Sequence, residues 1–357
     1  MSRKDSRLLD SFVDAQKSLV TQQSDFSLSS IREMVEGGAI DLSPSYQRRE
    51  RWKEVKQSKL IESFLLNVPI PPVYLSEDDY GHYSVIDGKQ RITSINNFMS
   101  GKLKLSSLES LPVLNGMTFF DLPKEIKNAL TIRPYVRAIT LLRQSDLDLK
   151  YEVFLRLNTG GESLKAQEIR NVAFSGPLND ALLELSKNPV LMEGLKIHSQ
   201  SSAAYRNMDD VEHVLRYFTI RDHWEKMKGA LASEMDDYMK ENRSLPKKDV
   251  EAMINDFNRS ISFCKDIFGE HVFNKPVKSG WRDQLISPLY DAQMVAMSLL
   301  SDISLNSLKS KKSGALKCVK ILYDCSEFNR SVSQATNTPS SIRKRIEMMV
   351  AALREIA

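Results

Sequence analysis

The feature that most constrains the fold is the run Val85-Ile86-Asp87-Gly88-Lys89-Gln90-Arg91-Ile92-Thr93-Ser94-Ile95. An apolar segment with strand character ends at Asp87-Gly88, and a segment with helical spacing begins directly after it, so the run predicts a strand that turns into a helix. Cations are disfavoured in the first turn of a helix, because the helix dipole places partial positive charge there. An anion held between Lys89 and Arg91 and by the backbone N–H groups of the helix start would offset this charge. The run therefore predicts a phosphate-binding corner with a carboxylate beside it.

A purely structural interpretation fits the same residues when they are taken alone. Asp87 would be the N-cap of the helix, Gly88 would form a turn, and Lys89 and Arg91 would extend into solvent. Short motifs of this kind recur by chance. The choice between the two interpretations therefore depends on the rest of the chain.

Composition excludes several classes of protein. The 50 basic and 46 acidic residues give a net charge of +4, so global charge does not indicate nucleic-acid binding and leaves only a local basic patch open. Cys264, Cys318 and Cys325 form no ligand cluster, so we expect neither a zinc site nor a disulfide framework. The polar N-terminus does not resemble a signal peptide, and no long apolar run occurs. We therefore expect a cytoplasmic protein with no membrane contact.

The order of strand and helix signals predicts an α+β protein of two domains. Residues 1–25 are polar, and we expect them to be loosely ordered or a helical lead-in. Residues 26–175 alternate between strand and helix signals, and residues 176–357 carry helical periodicity almost alone. We expect a mixed N-terminal domain followed by an all-helical C-terminal domain. The patterns predict strands at 39–42, 73–75, 83–86 and 135–142, and helices at 26–35, 53–66, 90–99, 165–174, 287–301, 314–326 and 340–356.

Two further clusters have the composition of a binding site. Gln47 and Arg48 lie in a loop after Pro44, and arginine grips phosphate oxygens bidentately. Trp52, just beyond, would either stack on a base or anchor the loop in the core. The second cluster is Asn158-Thr159-Gly160-Gly161. Its glycines permit a close approach of the backbone to a ligand, although for this cluster taken alone a plain tight turn is the preferred explanation.

Five short motifs follow one another in an order that is similar to a known family. Residues 26–175 resemble the ParB/sulfiredoxin-like domain in the GmrS part of GmrSD-type modification-dependent restriction systems and of related bacterial defence proteins. The motifs are Pro44-Ser45-Tyr46-Gln47-Arg48, Pro69-Ile70-Pro71, Asp87-Gly88-Lys89-Gln90-Arg91, Leu157-Asn158-Thr159-Gly160-Gly161 and Glu168-Ile169-Arg170-Asn171. Together they favour the functional interpretation of the corner at Asp87.

The resemblance implies nucleotide binding and NTP hydrolysis in anti-phage defence, with Mg²⁺ as a cofactor on Asp87. Asp87, Gln90 and Arg91 would form the catalytic group. The nucleotide would be bound by Gln47, Arg48, Gly88, Lys89, Asn158, Thr159 and Gly160. Lys89 replaces the first glutamine of the family motif. A lysine there strengthens phosphate binding and leaves the positioning of water open.

The C-terminal half departs from the family, since residues 176–357 contain no motif of an HNH nuclease. We therefore expect DNA and a separate nuclease or effector subunit as partners. One alternative is a non-enzymatic module that senses nucleotide or DNA, and another is a DNA-nicking nuclease. The basic run Lys309 to Lys312 is interpreted as a solvated loop, with a DNA contact as the alternative.

Overall fold

A computed structural model describes residues 19–42, 52–157 and 165–357, together with Phe12. The chain divides into two compact units, Met1–Leu164 and Lys165–Ala357. This division falls before the helix Ala166–Ala173. The domain limits 26–175 and 176–357 stay a prediction.

The N-terminal unit is mixed, with strands and helices that interleave along its described residues. Its strands are β1 (Thr21–Ser27), β2 (Ile40–Asp41), β3 (Val73–Asp79), β4 (His82–Asp87) and β5 (Tyr135–Leu141). Its helices are α1 (Leu28–Glu36), α2 (Glu54–Leu65), α3 (Lys89–Met99), α4 (Lys124–Ile132) and α5 (Leu147–Leu157).

The five strands form one sheet in the order β1-β5-β3-β4-β2. β1 pairs with β5 and β3 with β4 in antiparallel fashion, whereas β3 with β5 and β4 with β2 are parallel. Helix α3 packs against both α1 and α2. Its residues Ile92, Ile95 and Phe98 follow the spacing of one helical face and are fully buried. Helix α3 thus shares one hydrophobic core with strands β3 and β4.

Strand β1 lies partly within the segment expected to be a polar lead-in, so that expectation is wrong for residues 21–25. The strand is mostly exposed and lacks apolar alternation, because it forms the edge of the sheet. Its place comes from pairing with β5, and Arg137 on β5 holds Asp25 bidentately at 2.9 and 3.0 Å. Strand preference depends more on such neighbours than on the residues themselves.

The C-terminal unit is helical over most of its length. Its helices are α6 (Ala166–Ala173), α7 (Pro177–Leu185), α8 (Pro189–Gly194), α9 (Ala203–Arg206), α10 (Asp209–His223), α11 (Leu231–Asn242), α12 (Lys247–Phe268), α13 (Ser287–Leu299), α14 (Asp302–Ser310), α15 (Lys312–Asp324), α16 (Ser326–Ser333) and α17 (Pro339–Ile356). Helix α13 lies at the centre and packs against α10, α12 and α17. Its residues from Leu289 to Met297 are all buried.

The α+β class is confirmed, with one addition to the C-terminal unit. β6 (Asn274–Val277) and β7 (Gly280–Leu285) form an antiparallel hairpin between α12 and α13. Sequence patterns alone do not predict it, because Pro276 and the charged side chains of both strands mask the strand signal. No helix in the described part of the chain is both long and apolar enough to cross a membrane.

Candidate functional site

The corner between β4 and α3 is built around a left-handed glycine. β4 ends at Asp87, Gly88 has φ +96° and ψ 11°, and α3 begins at Lys89. A Cβ atom at Gly88 would lie 2.6 Å from Cγ1 of Val73, which is buried at the start of β3. Both the backbone conformation and the close approach of β3 therefore require glycine here. The strand turns into the helix without any intervening residue except Gly88.

Asp87 and Arg91 face each other across this turn. Arg91 donates from Nη2 to Oδ2 of Asp87 at 2.6 Å. The N-cap of α3 is Gly88, which makes no side-chain cap, so the interpretation of Asp87 as the cap is wrong. The Arg91 side chain is only 12% exposed, and the Asp87 side chain is 42% exposed. Arg91 thus lies inside the corner, and Asp87 presents its carboxylate to solvent.

Arg91 also joins two of the sequence motifs that resemble the family. Its Nη1 donates to the carbonyl oxygen of Pro71 at 2.7 Å and to that of Pro72 at 3.1 Å. Both prolines precede β3, whose pairing begins at Val73, so their carbonyl oxygens lie outside the ladder and can accept from a side chain. The Pro69-Ile70-Pro71 segment is therefore fastened to the corner by the same guanidinium that holds Asp87.

Gln90 connects the corner to the residue that follows the segment 43–51. The backbone N–H of Trp52 donates to Oε1 of Gln90 at 3.0 Å. Gln57 donates to the carbonyl oxygen of Trp52 at 2.8 Å, and Asn97 donates to Oε1 of Gln57 at 3.1 Å. The Trp52 ring packs on the core with Lys56 4.7 Å from its centroid, which favours the anchoring role. Sequence reasoning missed Gln57 and Asn97, since an isolated amide carries no motif.

The structure brings together one of the three predicted parts of the site. Asp87, Gly88, Gln90 and Arg91 form the corner, and Lys89 is half-buried at the first position of α3. Five other predicted residues, namely Gln47, Arg48, Asn158, Thr159 and Gly160, lie outside the described residues. Within the described ranges no group of three or more His, Cys, Asp or Glu residues is arranged to hold a metal ion. Mg²⁺ on Asp87 stays a prediction.

The motif Glu168-Ile169-Arg170-Asn171 is buried within the C-terminal unit. Oε2 of Glu168 accepts from the backbone N–H of Lys165 at 2.7 Å, as in a capping box at the start of α6. Arg170 is 1% exposed, and its Nε lies 2.6 Å from Oδ1 of Asp236 on α11. This part of the motif therefore fixes α6 among the helices, a packing role that the motif alone does not reveal.

The fold and the corner together define a class of protein, in which an α+β domain with an Asp-Gly-x-Gln-Arg turn from strand to helix is followed by a helical unit. Residues 31–175 match the family model of the GmrSD restriction endonuclease, N-terminal domain. This part of the chain is therefore similar to a domain of restriction-type defence proteins. Searches among curated proteins and among solved structures found no match. The finer relation to ParB and sulfiredoxin stays a prediction.

Proposed function

We propose that the N-terminal unit binds a nucleoside triphosphate at the corner between β4 and α3. Hydrolysis of the nucleotide would control engagement of DNA or of a nuclease partner in bacterial defence. The observation that carries the proposal is the left-handed Gly88, which sets a helix start and the exposed carboxylate of Asp87 side by side. A helix start binds phosphate through its backbone N–H groups and its dipole.

The geometry of the corner supports a distinct role for each residue in this proposal. Lys89 and, from the neighbouring segment, Arg48 would bind the phosphates. Asp87 would bind Mg²⁺ or orient the attacking water, because a carboxylate oxygen suits both tasks. Arg91 already contacts Asp87 and two carbonyl oxygens, so its part is to position that carboxylate. Gln90 would orient water or a phosphate oxygen while it holds Trp52.

The proposal is tested by measuring nucleotide binding and phosphate release separately, for each of the four NTPs, with and without duplex DNA. Lys89→Ala removes a charged phosphate contact and should weaken binding about tenfold. Asp87→Asn keeps the shape of the side chain but removes its charge, and should slow phosphate release by about 100-fold or more with binding largely retained.

Lys102→Ala is the matched control, because Lys102 is an exposed lysine just beyond the other end of α3. It should leave both measurements unchanged. Saturable binding without release from any NTP would favour the regulatory module over the NTPase. If no NTP binds, or if Lys89→Ala and Lys102→Ala behave alike, the corner is not a nucleotide site.

A further inference from the structure

The hairpin of the C-terminal unit carries positive charge that no ion pair within the described part of the chain compensates. Lys275, Lys278 and Arg282 lie on its two strands and their turn, and Asp283 is its one acidic residue. Asp283 is already paired with Lys196, whose Nζ lies 2.5 Å from Oδ2. The three cations make no ion pair with any other described residue. The hairpin therefore presents a net positive surface.

Two contacts between cations and aromatic rings join this hairpin to helix α15. Nζ of Lys275, from the hairpin, lies 5.6 Å from the ring centroid of Tyr323 on the helix. Nζ of Lys320, from the helix, lies 5.5 Å from the ring centroid of Trp281 on the hairpin. An aromatic ring holds an ammonium group in place without neutralising it, whereas a carboxylate would cancel its charge. These contacts thus order two cations and keep their charge available.

The pairing of the two hairpin strands places two of these cations opposite each other. Lys275 and Arg282 are directly paired across the two strands. Like charges at opposite positions of a strand pair are destabilising. The ring of His271 also stacks on Trp281, with centroids 4.9 Å apart and an angle of 11°. These aromatic contacts therefore lie among cations that repel one another, and a bound polyanion would relieve that repulsion.

We propose that this surface, formed by Lys275, Lys278, Arg282 and Lys320 around Trp281, binds the phosphate backbone of duplex DNA. Duplex DNA carries a dense row of negative charges, and basic side chains bind it by displacing counterions, without reading its sequence. DNA fits better than an acidic protein because residues 31–175 match the N-terminal domain of a restriction endonuclease, a class of protein that acts on DNA. The inference rests on that role and not on nucleotide hydrolysis at Asp87.

The basic run that the sequence makes conspicuous, Lys309 to Lys312, differs from this surface. Nζ of Lys309 lies 2.6 Å from Oδ2 of Asp266, so its charge is compensated. Lys311 donates to the carbonyl oxygens of Ile356 and Ala357 at 2.7 and 3.2 Å. The run caps and joins helices. It therefore supplies a control with the same charges in the same unit.

The experiment measures binding of the full chain to a fluorescein-labelled 30-base-pair duplex, without nucleotide, over a series of salt concentrations. Lys278→Ala combined with Arg282→Ala removes two exposed charges and should weaken binding about tenfold near physiological salt. The slope of log K against log salt should become shallower by about 2 for two lost phosphate contacts. Lys309→Ala combined with Lys312→Ala removes the same formal charge and should change binding less than about twofold.

Equal losses in both double variants would overturn the assignment, because net charge alone would then explain binding. The assignment would also be overturned if the Lys278 and Arg282 double variant bound the duplex as tightly as the wild type, or if the wild type bound no duplex. Competition by polyglutamate as strong as by duplex DNA would reassign the surface to an acidic protein. NTP binding is measured in parallel on the same variant. Failure of the nucleotide site therefore appears as loss of that signal alone, and the duplex result stands independently.

Discussion

At the scale of single residues, Gly88 is the position where backbone conformation and packing both exclude a side chain. Its φ of +96° lies in the left-handed region, where L-residues other than glycine are strained by about 1–2 kcal/mol. The nearest atom to an added Cβ belongs to Val73, which is β-branched, stiff and 2% exposed. Neither the strand nor the side chain can move aside cheaply.

We predict that Gly88→Ala lowers the free energy of unfolding of the N-terminal unit by about 2–5 kcal/mol, from backbone strain plus overpacking. The measurement is urea denaturation followed by circular dichroism. Gly81→Ala is the matched control, because Gly81, in the turn between β3 and β4, has a φ of +78° with no atom within 4 Å of an added Cβ. It should cost only about 1–2 kcal/mol. Equal losses of unfolding free energy in Gly88→Ala and Gly81→Ala would show that the contact of the added Cβ with Val73 is unimportant.

At the scale of secondary-structure elements, the N-terminus of α10 combines favourable and unfavourable charge. Asp209, Asp210 and Glu212 all lie in its first turn, where the helix dipole favours acidic groups. Burial, together with the neighbouring carboxylates of Glu212 and Asp210, nevertheless raises the pKa of Asp209 to about 6, against the lowering effect of Lys165. The folded state therefore holds the proton of Asp209 more tightly than the unfolded state does.

The raised pKa of Asp209 makes the stability of the folded state fall as the pH rises. At a pH below the usual aspartate pKa, both states are protonated and the full stability is present. As the pH rises toward 6 the unfolded state ionises first, so stability falls, and above about 6 the loss is complete. We predict that Asp209→Asn is more stable than wild type at pH 8 by about 1 kcal/mol, after allowance for solvent screening, and nearly equal to it at pH 4.

Thermal unfolding at the two pH values checks this prediction. Asp249→Asn is the control, since Asp249 is an exposed aspartate in the first turn of α12. Its replacement removes a favourable interaction with the helix dipole and should cost about 0.3–1 kcal/mol at pH 8. A loss of stability in Asp209→Asn at pH 8, like that of the control, would contradict the raised pKa.

Elements with strong periodicity could be predicted, and those that depend on distant neighbours could not. Helix α12 follows from the buried spacing of Met253, Phe257 and Ile261, and α3 from a similar stripe. Strand β1 and the hairpin of β6 and β7 are polar or short, so their pairing partners determine them. In the site, the turn from strand to helix that brings Asp87 and Arg91 into one corner could be predicted, because both lie in one short motif. The carbonyl partners of Arg91 could not, because backbone atoms carry no sequence signature.

At the scale of the whole C-terminal unit, one buried carboxylate joins helices that are far apart in sequence. Asp291 on α13 accepts from Nε and Nη2 of Arg216 on α10 at 2.6 and 2.7 Å, and Arg345 on α17 contacts it as well. Asp291 and Arg345 are fully buried. Burial acts to raise the pKa of Asp291, yet the guanidinium groups of Arg216 and Arg345 hold it below its usual range. The centre of the unit thus depends on one negative charge between two positive ones.

We predict that Asp291→Asn lowers the free energy of unfolding of this unit by about 3–5 kcal/mol or more, because two buried cations lose their counter-charge. The control is Asp302→Asn, which breaks the exposed pair of Asp302 and Arg259 and should cost about 1 kcal/mol or less. Both are measured by urea denaturation at pH 7. Replacing Asp291, Arg216 and Arg345 together by leucine and two methionines should recover much of the loss, since the triple variant leaves no charge buried without a partner. Equal costs for the two single variants, or no recovery in the triple variant, would mean that shape, and not charge, holds these helices together.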